Sequence, residues 1–277
     1  MSKAASNLVV RVATAIVAVP VILAMVYAAP PWAFYLLVLA VSLVGVHELF
    51  GMTHPGDRVS QGIGVVISAA ASVAVYNGAD EPRVLLTVLV AVPIAGPLVT
   101  LARLGALETA ALRACALGFG PLFVVVPLTL LALMRLQLGP AGSGAVLLAV
   151  GLAWFADTWA YFAGRFMGRR KLYEAVSPKK TVEGAVGGVA GSVAWAAIGS
   201  FSFLRGTLPL AHAVPLGLVA GVLGAAGDLA ESLLKRSTGV KDSGAIVPGH
   251  GGILDRVDAV IVTSVIVFLY VEWVWVR

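Results

Sequence analysis

Charge is what this 277-residue chain has least of: Asp, Glu, Lys and Arg together make up 12% of it. A soluble globular chain carries roughly 25%. Half that number cannot cover a water-facing surface, which excludes an ordinary soluble domain. Cysteine is almost absent, with Cys115 the single one. That rules out an intrachain disulfide and a Cys-based zinc site, and leaves Cys115 as a small apolar filler. No GxxxxGK[ST] loop occurs anywhere, and the glycine-rich PGHGG follows no strand, so neither a Walker nor a Rossmann phosphate site is present. There is no internal repeat and no low-complexity tail. The opening MSKAASNLVVRVATAIVAVP continues apolar to Ala29 without a small-residue cleavage site, and reads as a membrane helix rather than a cleaved leader.

What the chain has instead is apolar length. Hydrophobic residues make up 60% of it, and the mean hydropathy is +0.97. Apolar runs of about 20 residues, each able to cross a hydrocarbon core of about 30 Å, recur from end to end. The expected fold is all-α and polytopic, with about nine spans near 10–29, 32–50, 61–77, 84–101, 114–134, 144–164, 184–204, 212–234 and 257–275. Pro/Gly joints such as AAPPW, NGADEPR and LGPAGSG mark the turns. The expectation is one integral membrane domain over 1–277, with helices of 1–140 leading into the chemistry-bearing helices and loops of 141–277. Placing the N-terminus in the cytoplasm puts 15 of the 19 Lys and Arg residues inside and only Arg83, Arg135, Arg205 and Arg277 outside. The positive-inside rule favours that orientation.

Polar residues concentrate in two of the inside loops. Arg165–Glu183 holds 8 charged residues and Lys235–Asp258 holds 7, out of 33 in the chain. The flanking spans bring acids with them. Asp228, Glu231, Ser232 and Lys235 are spaced i, i+3, i+4, i+7 and share one helix face. Asp228 lies about 10 Å deeper along that helix than Lys235 at 1.5 Å per residue. Asp157 stands about two turns inside Arg165, with Tyr161 one turn on. Asp255 and Asp258 open the last span at i, i+3. An acid within a span costs at least about 2.5–3.5 kcal/mol unless it faces a partner or a wet cavity. Several acids at one depth on three helices point to a hard cation, and Mg²⁺ typically takes one or two carboxylates plus water and phosphate oxygens. The GRRK and SPKK clusters on the same side suit a polyphosphate. Ser177-Pro178 reads as a turn, and Thr181 as a cap for the next helix, whose N-terminus could face an anion. His250 sits in the glycine loop, between Lys241-Asp242 and Asp255.

These residues carry a resemblance. Ser232–Asp258, SLLKRSTGVKDSGAIVPGHGGILDRVD, resembles the signature S-x-x-K-R-x4-K-D-x-G-x2-x-P-x-H-G-G-x-x-D-R-x-D of the phosphatidate cytidylyltransferases, also called CDP-diacylglycerol synthases. DTWAYFAGRFMGRRKL and SPKKTVEGAVGG are similar to further segments of that family, so the clear match covers roughly 150–260. The resemblance implies transfer of CMP from CTP to phosphatidic acid, giving CDP-diacylglycerol and pyrophosphate, in phospholipid biosynthesis. It implies Mg²⁺, with a monovalent cation such as K⁺ as a further candidate, and a homodimer in the cell (inner/plasma) membrane. No nucleic-acid partner is expected. It marks Asp228, Asp255 and Asp258 as metal-binding acids; Asp157 joins them on depth alone. Lys241 and His250 are the further catalytic candidates. The expected substrate-binding residues are Arg165, Lys179, Lys180, Thr181, Ser232, Lys235, Arg236, Gly251, Gly252 and Arg256.

Two rival readings use the same features. A CTP-dependent lipid kinase would also want Mg²⁺, basic loops and buried acids, but would leave CDP free. A transporter would use intramembrane acids, yet such folds carry inverted repeats and midplane sites, whereas these acids lie near one face. The DGxxAR…GxxxDxxxD motif of the CDP-alcohol phosphotransferases does not occur.

Overall fold

The computed structural model describes residues 19–244 and 251–275. Among them are eight helices long and apolar enough to cross a membrane. They are α1 (Pro31–Thr53), α2 (Arg58–Gly78), α3 (Pro82–Ala102), α4 (Leu107–Gln137), α5 (Gly139–Met167), α6 (Val182–Phe201), α7 (Leu210–Ser237) and α8 (Leu254–Trp275). The protein is therefore an all-α, multi-pass membrane protein, and these eight match the second to ninth expected spans. Of the first expected span, residues 19–27 are helical and the part before 19 lies outside the described residues. A short antiparallel hairpin, β1 (Lys171–Tyr173) and β2 (Ser177–Thr181), joins α5 to α6. The backbone falls into two compact units: Met1–Ala132 with Asp242–Arg256, and Leu133–Lys241 with Val257–Arg277.

In the first unit, Asp57 starts α2 by accepting from the Ser60 amide at 3.1 Å. This fills one of the orphan donors of a helix start. α3 approaches the first half of α4 backbone to backbone: a methyl on Gly96 would strike the Ala114 carbonyl. Such close contacts replace the hydrophobic drive that lipid does not provide. Pro121 cannot donate an amide hydrogen, and the helix widens there into a π-turn over Pro121–Val125. Buried hydroxyls pair across helices, with Ser72 and Thr129 at 2.8 Å.

In the second unit the same small-residue logic packs α6 on both sides. Gly187, Gly188 and Gly191 lie against Ala163, Ala156 and Phe155 of α5, while Gly217 and Gly221 of α7 lie against Val193 and Val189 of α6. α7 ends in a left-handed turn at Gly239 (φ 76°), with the Val240 amide bonded to the Lys235 carbonyl at 3.0 Å. This is the helix stop that glycine permits. The hairpin differs from the sequence expectation. Ser177-Pro178 opens a strand, and the turn is Glu174–Val176. The reason lies in Glu183 of α6, whose carboxylate accepts the Arg169 amide at 3.0 Å and the Arg170 amide at 3.2 Å. With the base pinned, the chain reverses earlier. Thr181 caps α6 as expected, its hydroxyl accepting from the Gly184 amide at 3.1 Å.

Candidate active site

The second unit gathers three carboxylates. Asp228 and Glu231 come from α7 and Asp258 from α8, and one oxygen of each lies within 4.8 Å of the other two. Asp228 and Glu231 are one turn apart on α7, so their side chains leave the helix on the same side. Glu231 is 1% exposed. Two lysines answer the acids. Lys180, the penultimate residue of β2, pairs with Asp228. Lys235 pairs with Glu231 at 2.6 Å across one helical turn, its own side chain 11% exposed. Asp258 also accepts from the Ala259 amide at 2.7 Å.

The donor set fits a hard divalent cation. Oxygens bound to one Mg²⁺ ion at 2.0–2.1 Å per bond stand about 2.9 Å apart when adjacent and about 4.2 Å apart when opposite, so the three would have to draw closer to share one ion. The oxygen-only composition also fits Mg²⁺ better than zinc. Three acids and two lysines leave the group formally negative, as a cation site requires.

In the first unit, the signature loop is held by other means. Asp255 reaches back from the first turn of α8, and its Oδ2 accepts the Ser243 and Gly252 amides, each at 3.0 Å. Gly251 takes φ 82°, a conformation that side-chain-bearing residues rarely adopt, with Asp255 Oδ2 3.0 Å from where a Cβ would sit. A buried acid of α1, Glu48, accepts the Ser243 hydroxyl at 2.9 Å, the Ile253 amide at 3.1 Å and the Leu254 amide at 2.9 Å.

The sequence model of the Cytidylyltransferase family matches residues 9–274 of this chain. The chain belongs to the cytidylyltransferase family. Among curated proteins it is 43% identical over 132 residues to a phosphatidate cytidylyltransferase of Synechocystis, covering 48% of this chain and 44% of that protein. It is 46% identical over 118 residues to the enzyme of the same name from Bacillus subtilis, covering 42% of each. A Brucella abortus relative, again so named, is 40% identical over 132 residues, covering 47% of this chain and 48% of its own length. In each case the chain spans less than half the length of the relative it matches.

The positions of the other sequence-derived candidates in this family member are uneven. Asp228 and Asp258 come together, and Glu231 stands where the sequence pointed to Asp255. Asp255 differs because it opens α8, and its carboxylate bonds to backbone amides near the helix start. Asp157 is exposed on α5 and is not one of the three clustered acids. Thr181 acts as the α6 cap. Ser232 is buried on α7. Arg236 donates to the Val176 carbonyl at 3.4 Å and the Val240 carbonyl at 3.1 Å, bracing the hairpin turn against the end of α7. Arg165, Lys179, Lys241 and Arg256 are exposed, Gly252 is buried, and His250 lies outside the described residues.

The helical spacing places Glu231 on the polar face of α7 without assigning it a role, and no motif marks Glu48. The signal for Glu48 was available: an acid within an apolar span is costly and therefore employed.

Proposed function

We propose that this protein is a CTP:phosphatidate cytidylyltransferase, taking CTP from the cytoplasm and phosphatidic acid from the bilayer to make CDP-diacylglycerol and pyrophosphate. The observation that carries this reading is the Asp228–Glu231–Asp258 group with Lys180 and Lys235 beside it. Family membership and the printed names of the relatives support it. The 15-to-4 distribution of Lys and Arg supports a cytoplasmic N-terminus and a site on that face. The cell membrane and a homodimer remain part of the reading through the resemblance alone.

In this reading the phosphate of phosphatidic acid is the nucleophile. Its second pKa, as for other phosphomonoesters, is roughly 6, so it is largely dianionic at neutral pH and needs no general base. One of its oxygens bonds to the α-phosphorus of CTP, the bond from that phosphorus to the bridging oxygen breaks, and pyrophosphate leaves with the electron pair. No proton moves. Repulsion between anions is the obstacle, so catalysis is positioning and charge neutralisation. A Mg²⁺ ion held by Asp228, Glu231 and Asp258 would supply neutralising charge at the phosphate oxygens. Lys180 and Lys235 exchange their carboxylate partners for phosphate oxygens as substrate arrives. Arg165, Lys179 and Lys241, exposed in the basic segments, hold the triphosphate or the lipid headgroup.

The test is incubation of membranes containing the protein with CTP radiolabelled on its α-phosphate and with phosphatidic acid. Label entering the lipid phase as CDP-diacylglycerol is expected from wild type and not from Asp258→Ala. Free labelled CDP with phosphorylated lipid would identify a lipid kinase instead. Undiminished lipid label from Asp258→Ala would remove the metal assignment.

A further inference from the structure

We infer that Glu48 is a positioning residue for the signature loop, tying both ends of that loop to α1. The inference rests on the cytidylyltransferase reading for its effect on catalysis, but not for its geometry. Glu48 lies about 200 residues before the loop, in a stretch where the sequence pattern marks no functional residue. It is 5% exposed. Its Oε2 accepts from the Ser243 hydroxyl and the Leu254 amide, both at 2.9 Å, and its Oε1 accepts from the Ile253 amide at 3.1 Å. Ser243 stands before the 245–250 segment, and Ile253 and Leu254 stand after it. One carboxylate therefore joins the two strands of the loop's neck.

The neighbouring glycines show how closely the carboxylate is fitted. A methyl at Gly244 would strike Glu48 Oε1, and a methyl at Gly252 would strike both Glu48 Oε2 and the Ser243 hydroxyl. Both glycines belong to the signature. Their smallness is thus explained by a residue outside it. The Ile253 and Leu254 amides are also orphan donors at the start of α8, which no intrahelical carbonyl can satisfy. Glu48 satisfies them and so fixes the residue at which the helix begins. Asp255 closes the same neck from within, through the Ser243 and Gly252 amides. With the neck closed, Gly251 and Gly252, which the sequence assigns to substrate binding, are presented in one arrangement. With it open, they must be ordered by substrate.

The experiment uses the full chain in lipid nanodiscs. Amide hydrogen exchange over 242–256 and steady-state kinetics with CTP and phosphatidic acid are measured for wild type, Glu48→Ala, Glu48→Gln, Ser243→Ala and Gly252→Ala. Exchange at Ile253 and Leu254 is expected to rise by about tenfold or more in Glu48→Ala, since each loses a hydrogen bond to a carboxylate. The KM for CTP is expected to rise more than kcat falls. Glu48→Gln keeps one carbonyl acceptor and is expected to recover about a third to a half of the lost kcat/KM, while Ser243→Ala costs about threefold. Gly252→Ala is expected to open the neck with Glu48 intact, which keeps the inference testable if Glu48→Ala does not fold. Wild-type exchange at Ile253 and Leu254 in both Glu48→Ala and Gly252→Ala would overturn the clamp. Faster exchange with unchanged KM and kcat would overturn the positioning role. If wild type makes no CDP-diacylglycerol, the functional reading fails while the exchange result still decides the clamp.

Discussion

Two buried glutamates, one in each unit, are treated in opposite ways. Glu48 in the first unit is surrounded by neutral, fixed donors: two backbone amides and a hydroxyl. Glu231 in the second faces a lysine and lies beside two more acids. Fixed donors can do one thing, which is hold a carboxylate and whatever bears them in place. Acids crowded together and balanced by long, adaptable lysines form a group whose charge can be redistributed, which the proposed cation and phosphate would require. A buried acid is expensive in either setting. Its partners reveal whether it serves architecture or ligand binding.

The sharpest way to break this contrast is Asp258→Ala. Transfer of label to lipid is expected to fall by about a thousandfold, or about 4 kcal/mol of barrier, with the helical content unchanged by circular dichroism. Chelation of divalent cations is expected to match it in wild type and to be reversed by adding Mg²⁺. An unfolded Asp258→Ala would instead make the second-unit acids architectural, like Glu48.

Glu231→Gln is expected to destabilise the protein by about 3 kcal/mol in detergent unfolding, because Lys235 keeps its charge in a nearly enclosed place without the Glu231 carboxylate. Adding Lys235→Met should restore most of that stability but not activity. Recovery of both would show that the pair serves only packing.

Asp57 offers a more exposed comparison. It bonds Ser60 and pairs with Arg103 at 2.9 Å. The Ser60 hydroxyl and then the Arg103 guanidinium hold its carboxyl well below the usual carboxylate range. A depressed acid favours the folded state above its ordinary value of about 4, and that contribution is lost as pH falls further. Asp57→Ala is expected to cost about 1 kcal/mol at neutral pH through the lost helix cap, with less acid sensitivity in melts between pH 5 and 3, to be read by scanning calorimetry.

The smallest effect is expected at His54, which is 1% exposed and bonded through Nδ1 to the Thr53 hydroxyl at 2.9 Å. Burial, and then the charge of Arg113, lower its pKa. A depressed histidine stabilises the fold fully above its ordinary value of about 6.5, and the contribution fades as pH drops below that. His54→Gln should flatten the melting temperature between pH 7 and 5 by one or two degrees.

Much of this was legible in advance because it is periodic or local. Apolar runs separated by Pro/Gly joints locate the spans, since a run of that length has to be buried in hydrocarbon. The polar face of Asp228, Glu231, Ser232 and Lys235 follows from 3.6 residues per turn, and the Thr181 cap from its place before a glycine-rich helix. The amide contacts of Asp255 were not legible, because they depend on where α8 begins and on how the chain before it folds back.

Read alone, the sequence places this chain in a bilayer, concentrates its charges in two polar segments near 165–183 and 235–258, and sets Asp228, Glu231 and Lys235 on one helix face. Those features need only counting and helical phase, which are properties of neighbours along the chain. Helix packing is what sets Glu231 among the clustered acids and brings Glu48 to Ser243 and Leu254, 195 and 206 positions further along the chain. The physical reason is that a hydrogen bond or a metal site needs atoms within a few ångströms of one another, and helix packing, not sequence order, sets those distances.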